Sequence, residues 1–242
     1  MDYQLDPGRD LAVQIADAIK DAILREDLLV DDRLPSEAEL SERFEVSRPT
    51  VREALKRLAA QNLIRTQRGA TGGAFVNRLS FAEAAAQQET TATLVLSMNA
   101  VDFETACEAR FALERAVAPL AAARREDAHL AAMSAEVTRQ ADPGLSDTDF
   151  CASDVAFHRV LVEAAGNPVL SYQLAGAVEG MQPLMNMITY TERSRARIAT
   201  LHQRIRDAMA ARDGAGVTAA LSDLADYTAD LGSQMRAKRA AR

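Results

Sequence analysis

The sequence predicts a mainly α-helical protein in two parts: an N-terminal winged helix-turn-helix with a small β-hairpin over residues 1–78, and a C-terminal antiparallel bundle of about seven helices over residues 79–242. Three observations carry this. Alanine is abundant while aromatic residues make up only 5% and tryptophan is absent, a composition that favours helix over strand. Apolar residues recur at three- and four-residue spacing through most of the chain, and only one short stretch reads as β. Charge is also segregated. Between Arg43 and Arg78 eight Lys or Arg stand against Glu45 and Glu53, a local +6 in a chain of net −7, so the remainder carries −13. A basic module is attached to an acidic body, and only the module suits a polyanion.

The first helix is "DLAVQIADAIKDAIL" (10–24), with Leu11, Ile15, Ala18, Ile19 and Ala22 on one face. In "LPSEAELSERF" Ser36 and Glu39 have the spacing of a capping box, and Leu34 with Leu40 that of a hydrophobic staple, so a second helix is expected over 37–44. A third follows after a three-residue turn, over 47–61. Ser47 can cap its first turn, and Pro49 is tolerated there because the first N–H groups have no intrahelical partner. Along it Arg48, Arg52 and Lys56 recur every four residues beside an apolar strip of Val51, Leu55 and Leu58. Two helices joined by a tight turn, the second basic at its N-terminus, make a helix-turn-helix. The runs "LIRTQ" and "GAFVN" read as strands separated by "RGATGG", a tight reversal with Arg68 near its tip, which is the wing.

Beyond Arg78 seven helices are expected, over 80–98, 101–124, 126–141, 147–165, 168–190, 191–212 and 215–238, with Pro183 bending the fifth. Nothing repeats at a fixed period, which excludes a solenoid. Cys107 and Cys151, on different helices, make neither a disulfide framework nor a zinc ribbon and read as buried small hydrophobes. No apolar run approaches the roughly 18 residues needed to cross a bilayer, and the N-terminus lacks a basic segment followed by an apolar one, so a cytoplasmic protein is expected. There is no P-loop and no Gly-x-Ser-x-Gly. The "GATGG" stretch lies between two strands rather than before a phosphate-binding helix, so a nucleotide site fails on context and an enzyme is not expected.

Three constellations carry chemistry. The basic strip of the third helix is either solvated surface or a nucleic-acid contact; the sign contrast with the body, the helix-turn-helix spacing and the wing arginine favour DNA. Asp154 and His158 lie four apart on one helix face, with His202 on a later helix. Such a pair is either a surface hydrogen bond or, as carboxylate plus imidazoles, a set for a borderline divalent metal such as Zn. Arg110 and Glu114, also four apart, make either an intrahelical salt bridge or, facing a cavity, a receptor for a carboxylate. His129 reads as surface.

The stretch "LPSEAELSERFEVSRPTVREALKRLAAQNLIRTQRGATGGAFV" resembles the winged-helix DNA-binding domain of GntR-type transcriptional regulators, and "EARFALERAVAPLAAAR", "DVAFHRVLVEAAGNPVL" and "HQRIRDAMAARDGAGVTAAL" resemble the all-helical FCD effector domain of the FadR subgroup. Seven body helices match that branch; the related VanR-type branch has six. By this resemblance Ser47, Arg48, Thr50, Arg52, Arg68 and Gly69 align with DNA-contacting positions. The chemistry agrees: Arg48 or Arg52 can pair bidentately with guanine O6 and N7, Ser47 and Thr50 suit phosphate oxygens, and Gly69 lets backbone approach the duplex. Asp154, His158 and His202 align with three of four metal ligands, and Arg110 with Glu114 aligns with a pair lining the same cavity. The resemblance also marks departures. Val30-Asp31 replaces the usual Pro-Gly, Ala38 replaces a DNA-touching arginine, and Leu224 stands 22 residues after His202 where the fourth ligand, a histidine, is expected.

The expected function is therefore a transcriptional regulator, a repressor, whose affinity for operator DNA is modulated by a small organic acid bound at Arg110, Glu114, Asp154, His158 and His202, with metal assistance. One module reads too few base pairs to single out a site, so a homodimer on a pseudo-palindromic duplex is expected. Two alternatives stand beside it. The same regulator could sense a fatty acyl-CoA in a metal-free pocket lined by Leu224 and the Met-rich "GMQPLMNMI". An architectural DNA-binding adaptor with no effector would not need internal polar groups such as Arg110 and His158.

Overall fold

The structure is a computed structural model and describes residues 4–69, 72–98, 101–181, 185–186 and 193–240. The chain divides into two compact units, Met1–Ser80 and Phe81–Arg242.

The first unit contains α1 (Leu11–Leu24), α2 (Glu37–Arg43) and α3 (Arg48–Ala60), then the antiparallel strands β1 (Ile64–Gln67) and β2 (Gly73–Val76). Side chains open each helix. The Asp10 carboxylate accepts from the N–H groups of Ala12 and Val13. Ser36 and Glu39 form both arms of the capping box, at 2.7 and 3.2 Å, and Ser47 Oγ accepts from the Thr50 N–H. The apolar faces meet in a core that includes Ile15, Ile19, Leu34, Leu40, Phe44, Val51, Leu58, Ile64 and Val76. The chain before α2 also pairs with β2: the Leu34 N–H donates to the Ala74 carbonyl at 2.8 Å and the Val76 N–H to Asp32 at 2.9 Å. The wing is thereby tied to the segment that leads into the helix-turn-helix. Asp31, where the family resemblance implies a glycine, adopts φ of 71°, the left-handed region that aspartate tolerates better than most residues. Its N–H donates to the Val76 carbonyl at 3.0 Å and its carboxylate pairs with Arg65 at 2.8 Å, so the turn forms without glycine.

The second unit contains α4 (Phe81–Met98), α5 (Phe103–Arg124), α6 (Asp127–Gln140), α7 (Asp147–Glu163), α8 (Pro168–Ala175), which runs into a π-helical turn at Gly176–Met181, then α9 (Arg195–Ala210) and α10 (Gly214–Ala240). Phe111, Ala121, Met133, Phe157, Leu161, Ile205, Met209 and Leu221 lie at its centre, each fully or almost fully buried. Helix ends are closed by arginines: Arg125 donates to the carbonyls of Met209 and Ala210, and Arg212 to those of Ala123 and Arg125. On α7 the buried face alternates apolar Phe150, Phe157 and Leu161 with polar Ser153, Asp154 and His158, which carries chemistry into the core.

The structure departs from the sequence expectations in three places. The fifth body helix is α-helical to Ala175, π-helical over Gly176–Met181 and α-helical again at Met185 and Asn186, and Gly176 and Gly180 sit where a Cβ would come within 3.1 Å of Ala92 on α4. Pro183 and the expected bend lie outside the described residues. Cys107 is buried as expected, but Cys151 is half-buried, one turn before Asp154, with its sulfur 3.2 Å from two guanidinium nitrogens of Arg193. His129 is half-exposed rather than plain surface, and its Nδ1 accepts from the Glu126 N–H at 3.0 Å to cap α6. Among the described residues no helix is long and apolar enough to cross a membrane.

Candidate nucleic-acid interface and buried polar site

The outer face of α3 is built from exposed Arg48, Arg52 and Lys56 and half-exposed Thr50, on a helix whose Val51, Ala54, Leu55 and Leu58 anchor it in the core. Ser47 Oγ and Thr50 Oγ1 lie 2.7 Å apart, so one hydroxyl proton is shared between them and the other remains for a phosphate oxygen. The Arg52 guanidinium is held edge-on by Glu37 of α2, Nε to Oε1 at 3.2 Å and Nη2 to Oε2 at 2.8 Å. That pairing lowers the Glu37 pKa and raises that of Arg52. It occupies one edge of the planar guanidinium, and the opposite edge has the geometry to meet a guanine. Arg68 and Gly69 are exposed in the wing. A Cβ at Gly69 would meet nothing within 4 Å, so glycine is needed there for its φ of 112°, not for want of room. Ala38 is half-exposed at the second position of α2.

The second constellation is sealed inside the bundle. Arg110 (4% exposed), Glu114 (0%), Asp154 (7%), His158 (0%) and His202 (0%) come together from α5, α7 and α9. Arg110 Nε donates to Glu114 Oε1 at 2.7 Å, and the other carboxylate oxygen takes His158 Nδ1 at 2.5 Å. The intrahelical salt bridge is therefore present, and the same arginine lines a cavity. Burial alone would raise the Glu114 carboxyl, but His158 and Arg110 outweigh it and hold the pKa at about 2. His202 stacks on Phe157 with ring centroids 4.2 Å apart, and its Nδ1 lies 2.7 Å from Gln140 Oε1. Burial pushes its pKa down to about 3 despite the charge of Asp154, so the ring is neutral at neutral pH.

Each imidazole thus uses Nδ1 on a protein oxygen, and Nε2 of both His158 and His202 is buried without a hydrogen-bond partner. Asp154, His158 and His202 each offer one ligand atom to a single group, and these atoms all lie within 4.8 Å of one another. Two inward nitrogens and a carboxylate fit a borderline divalent cation. Leu224, 4% exposed, lines the adjoining cavity with Arg110, Asp154, His158 and Asn186 and offers no donor. The cavity is about 30 Å³.

Gln140, Ser153 and Asn186 belong to this site and were not picked out from sequence. Asn186 Nδ2 donates to Asp154 Oδ2 at 3.4 Å, and its Oδ1 accepts from Arg193 at 3.2 Å. For Gln140 a signal existed: it is a polar residue seven positions after Met133 on the buried stripe of α6.

A basic recognition helix and wing on one unit, followed by an all-helical unit, define a DNA-binding transcriptional regulator. The family description "Bacterial regulatory proteins, gntR family" matches residues 11–76 and "FCD domain" matches residues 105–226; the chain belongs to the GntR family and carries an FCD domain. This is a family of transcriptional regulators, not enzymes. The chain is similar to an Escherichia coli (strain K12) regulatory protein named for the L-lactate dehydrogenase operon, 28% identical over 88% of this chain and 83% of that protein. It is 30% identical to the HTH-type transcriptional repressor NanR of Enterobacter sp. (strain 638), over 66% of this chain and 61% of NanR. In fold it is similar to the Streptococcus agalactiae GntR structure, with a TM-score of 0.51 at 22% identity, covering 93% of this chain and 99% of that one.

Proposed function

We propose that this regulator is a repressor that binds its operator as a homodimer and is controlled by a small monocarboxylic acid held in the FCD domain with the help of a divalent cation such as Zn²⁺. The observation that carries this is the pair of buried Nε2 atoms of His158 and His202, neither in a hydrogen bond and the latter 3.3 Å from Asp154 Oδ1, next to a cavity lined by Arg110. His158, His202 and Asp154 would hold the cation, which when bound supplies a Lewis-acidic anchor for a carboxylate oxygen. Arg110 would orient the acid. Charge favours a monoanion: ligating imidazoles are neutral, Asp154 and Glu114 carry −2 against +1 on Arg110, and a divalent cation turns that balance to +1.

The cavity of about 30 Å³ has room for roughly one water-sized group, so an acid and an acyl chain alike need its lining to open, and what supports the acid is the cationic Arg110 beside the Asp154, His158 and His202 ligand set. An adaptor without effector has no use for buried imidazole nitrogens left without a hydrogen bond. The relative named for an L-lactate dehydrogenase operon is in keeping with a small acid, and the relative named as a repressor with repression. On the DNA side, Arg48, Arg52 and Arg68 would read bases and groove, and Ser47, Thr50 and Gly69 would set the backbone register. A DNA-binding regulator has to share a compartment with the chromosome, which supports a cytoplasmic location.

The test is a calorimetric titration of monocarboxylic 2-hydroxy acids into wild type, His158→Ala and Arg110→Ala, with and without Zn²⁺, alongside metal analysis. Binding should need both the metal and Arg110. A wild type that takes up no metal, with acid binding unchanged in both variants, would remove the proposed site.

A further inference from the structure

We propose that Gln140 is the positioning residue that presents His202 to the cation, through a hydrogen-bond relay whose direction is set by a backbone carbonyl. The inference rests on the metal-assisted reading above. The relay runs from the Glu136 carbonyl through Ser153 and Gln140 to His202. A carbonyl can only accept, so the Ser153 hydroxyl, 3.3 Å away, donates to it. Its one proton is then committed, and Ser153 Oγ accepts from Gln140 Nε2 at 3.1 Å. This turns the Gln140 amide so that Oε1, not the NH₂ group, faces Nδ1 of His202 at 2.7 Å. An acceptor there requires Nδ1–H, and a neutral imidazole has only one proton. Nε2 of His202 is therefore a bare lone pair.

The alternative tautomer is close at hand. Nε2 lies 3.3 Å from Asp154 Oδ1, and a proton on Nε2 would turn toward that carboxylate, a stronger acceptor than an amide. Such a tautomer would block the nitrogen the cation needs. The stacking of the ring on Phe157, at an interplanar angle of 11°, holds the ring plane and resists a flip that would turn Nδ1 away from Gln140. The relay therefore does for His202 what the Glu114 carboxylate does for His158, with a neutral amide and no added charge. Its three side chains, Gln140 (4% exposed), Ser153 (0%) and His202 (0%), are buried.

The experiment uses the full-length, metal-free protein labelled with ¹⁵N-histidine, in which two-bond ¹H–¹⁵N correlations report the tautomer of each ring, followed by Zn²⁺ titration. Wild type should show Nδ1–H at both His158 and His202. In Gln140→Leu, His202 should convert to Nε2–H while His158 stays Nδ1–H, and Zn²⁺ affinity should fall roughly 10- to 100-fold. Gln140→Glu, which keeps an acceptor facing Nδ1, should retain the tautomer and recover affinity. Ser153→Ala is the milder second variant: an amide no longer anchored should give a mixture of tautomers at His202 alone. An Nε2–H tautomer in wild type overturns the proposal, as does an unchanged tautomer in both Gln140→Leu and Ser153→Ala with Zn²⁺ bound normally; the latter leaves the metal reading standing. No Zn²⁺ uptake by wild type, with His202 still Nδ1–H, overturns the metal reading instead and with it the purpose of the relay.

Discussion

On α3 the chemistry stands in water: the Arg52 side chain is 57% exposed and that of its partner Glu37 38%. In the FCD domain Glu114, His158 and His202 are 0% exposed, and each meets a fixed partner. An exposed ion pair contributes about 0–1 kcal/mol, whereas removing one partner of a buried pair leaves an uncompensated charge and costs about 3–5 kcal/mol. The two regions therefore answer to different measurements. A substitution on the recognition helix can change binding without touching stability; one in the buried site changes both, and has to be read against a folding control.

The largest expected effect follows directly. Glu114→Ala strands both Arg110 and His158 in the core and should lower unfolding free energy by about 3–5 kcal/mol in urea titrations. A loss below about 1 kcal/mol would erase the contrast between the two regions.

Acid should expose the same contrast without mutation. Glu114 is held at about 2 from an ordinary 4.5, so the stability it lends is complete above pH 4.5 and disappears as pH falls from 4.5 toward 2. His202 is pushed from 6.5 to about 3: between those values the unfolded chain binds a proton that the folded one refuses, so stability falls as pH drops through that window. Both shifts act in the same direction, by a few kcal/mol together. In metal-free protein, NMR probes in Phe81–Arg242 should lose their dispersion at higher pH than probes in Met1–Ser80. Simultaneous loss, or earlier loss in the first unit, would contradict the burial argument.

Next in size is Arg52→Ala, which should cost about 1–3 kcal/mol in operator binding and relax preference at one base pair per half-site, with stability changed by less than about 0.5 kcal/mol. Anisotropy titrations on the operator and on single-base variants check the first part, and urea unfolding the second. Unchanged operator affinity would move base reading elsewhere on the strip.

How much of this was legible in the sequence follows from the same contrast. Recognition helix, turn and wing were readable because each rests on neighbours in the chain: Ser36 with Glu39, Ser47 with Thr50, Gly69 at the wing. The i, i+4 pairs Arg110–Glu114 and Asp154–His158 were readable for the same reason. Ser153 and Asn186 were not, and Gln140 showed only as a polar residue on the buried stripe of α6, because their roles arise only when α6, α7, α9 and the residues near Met185 pack together. Asp31 shows the converse: a missing glycine looked like a defect in the sequence, and the structure satisfies that turn with a left-handed aspartate paired to Arg65.

The smallest effect belongs to Glu37→Gln. Glutamine keeps the length of the side chain but loses the charge that makes the contact with Arg52 bidentate and directional. On operator DNA two consequences oppose each other. The arginine loses its clamp, which weakens the pairing with one base, while removal of a negative charge close to the DNA backbone strengthens attraction to phosphates. The net change in operator affinity should stay below about 1 kcal/mol, and measured alone it would pass for nothing. Non-specific DNA feels only the second consequence, so its affinity should rise. The ratio of operator to non-specific affinity should accordingly fall several-fold at fixed salt, measured by competition, with thermal stability unchanged. An unchanged ratio would reduce Glu37–Arg52 to an ordinary surface ion pair and leave Arg52 to find its base without help from α2.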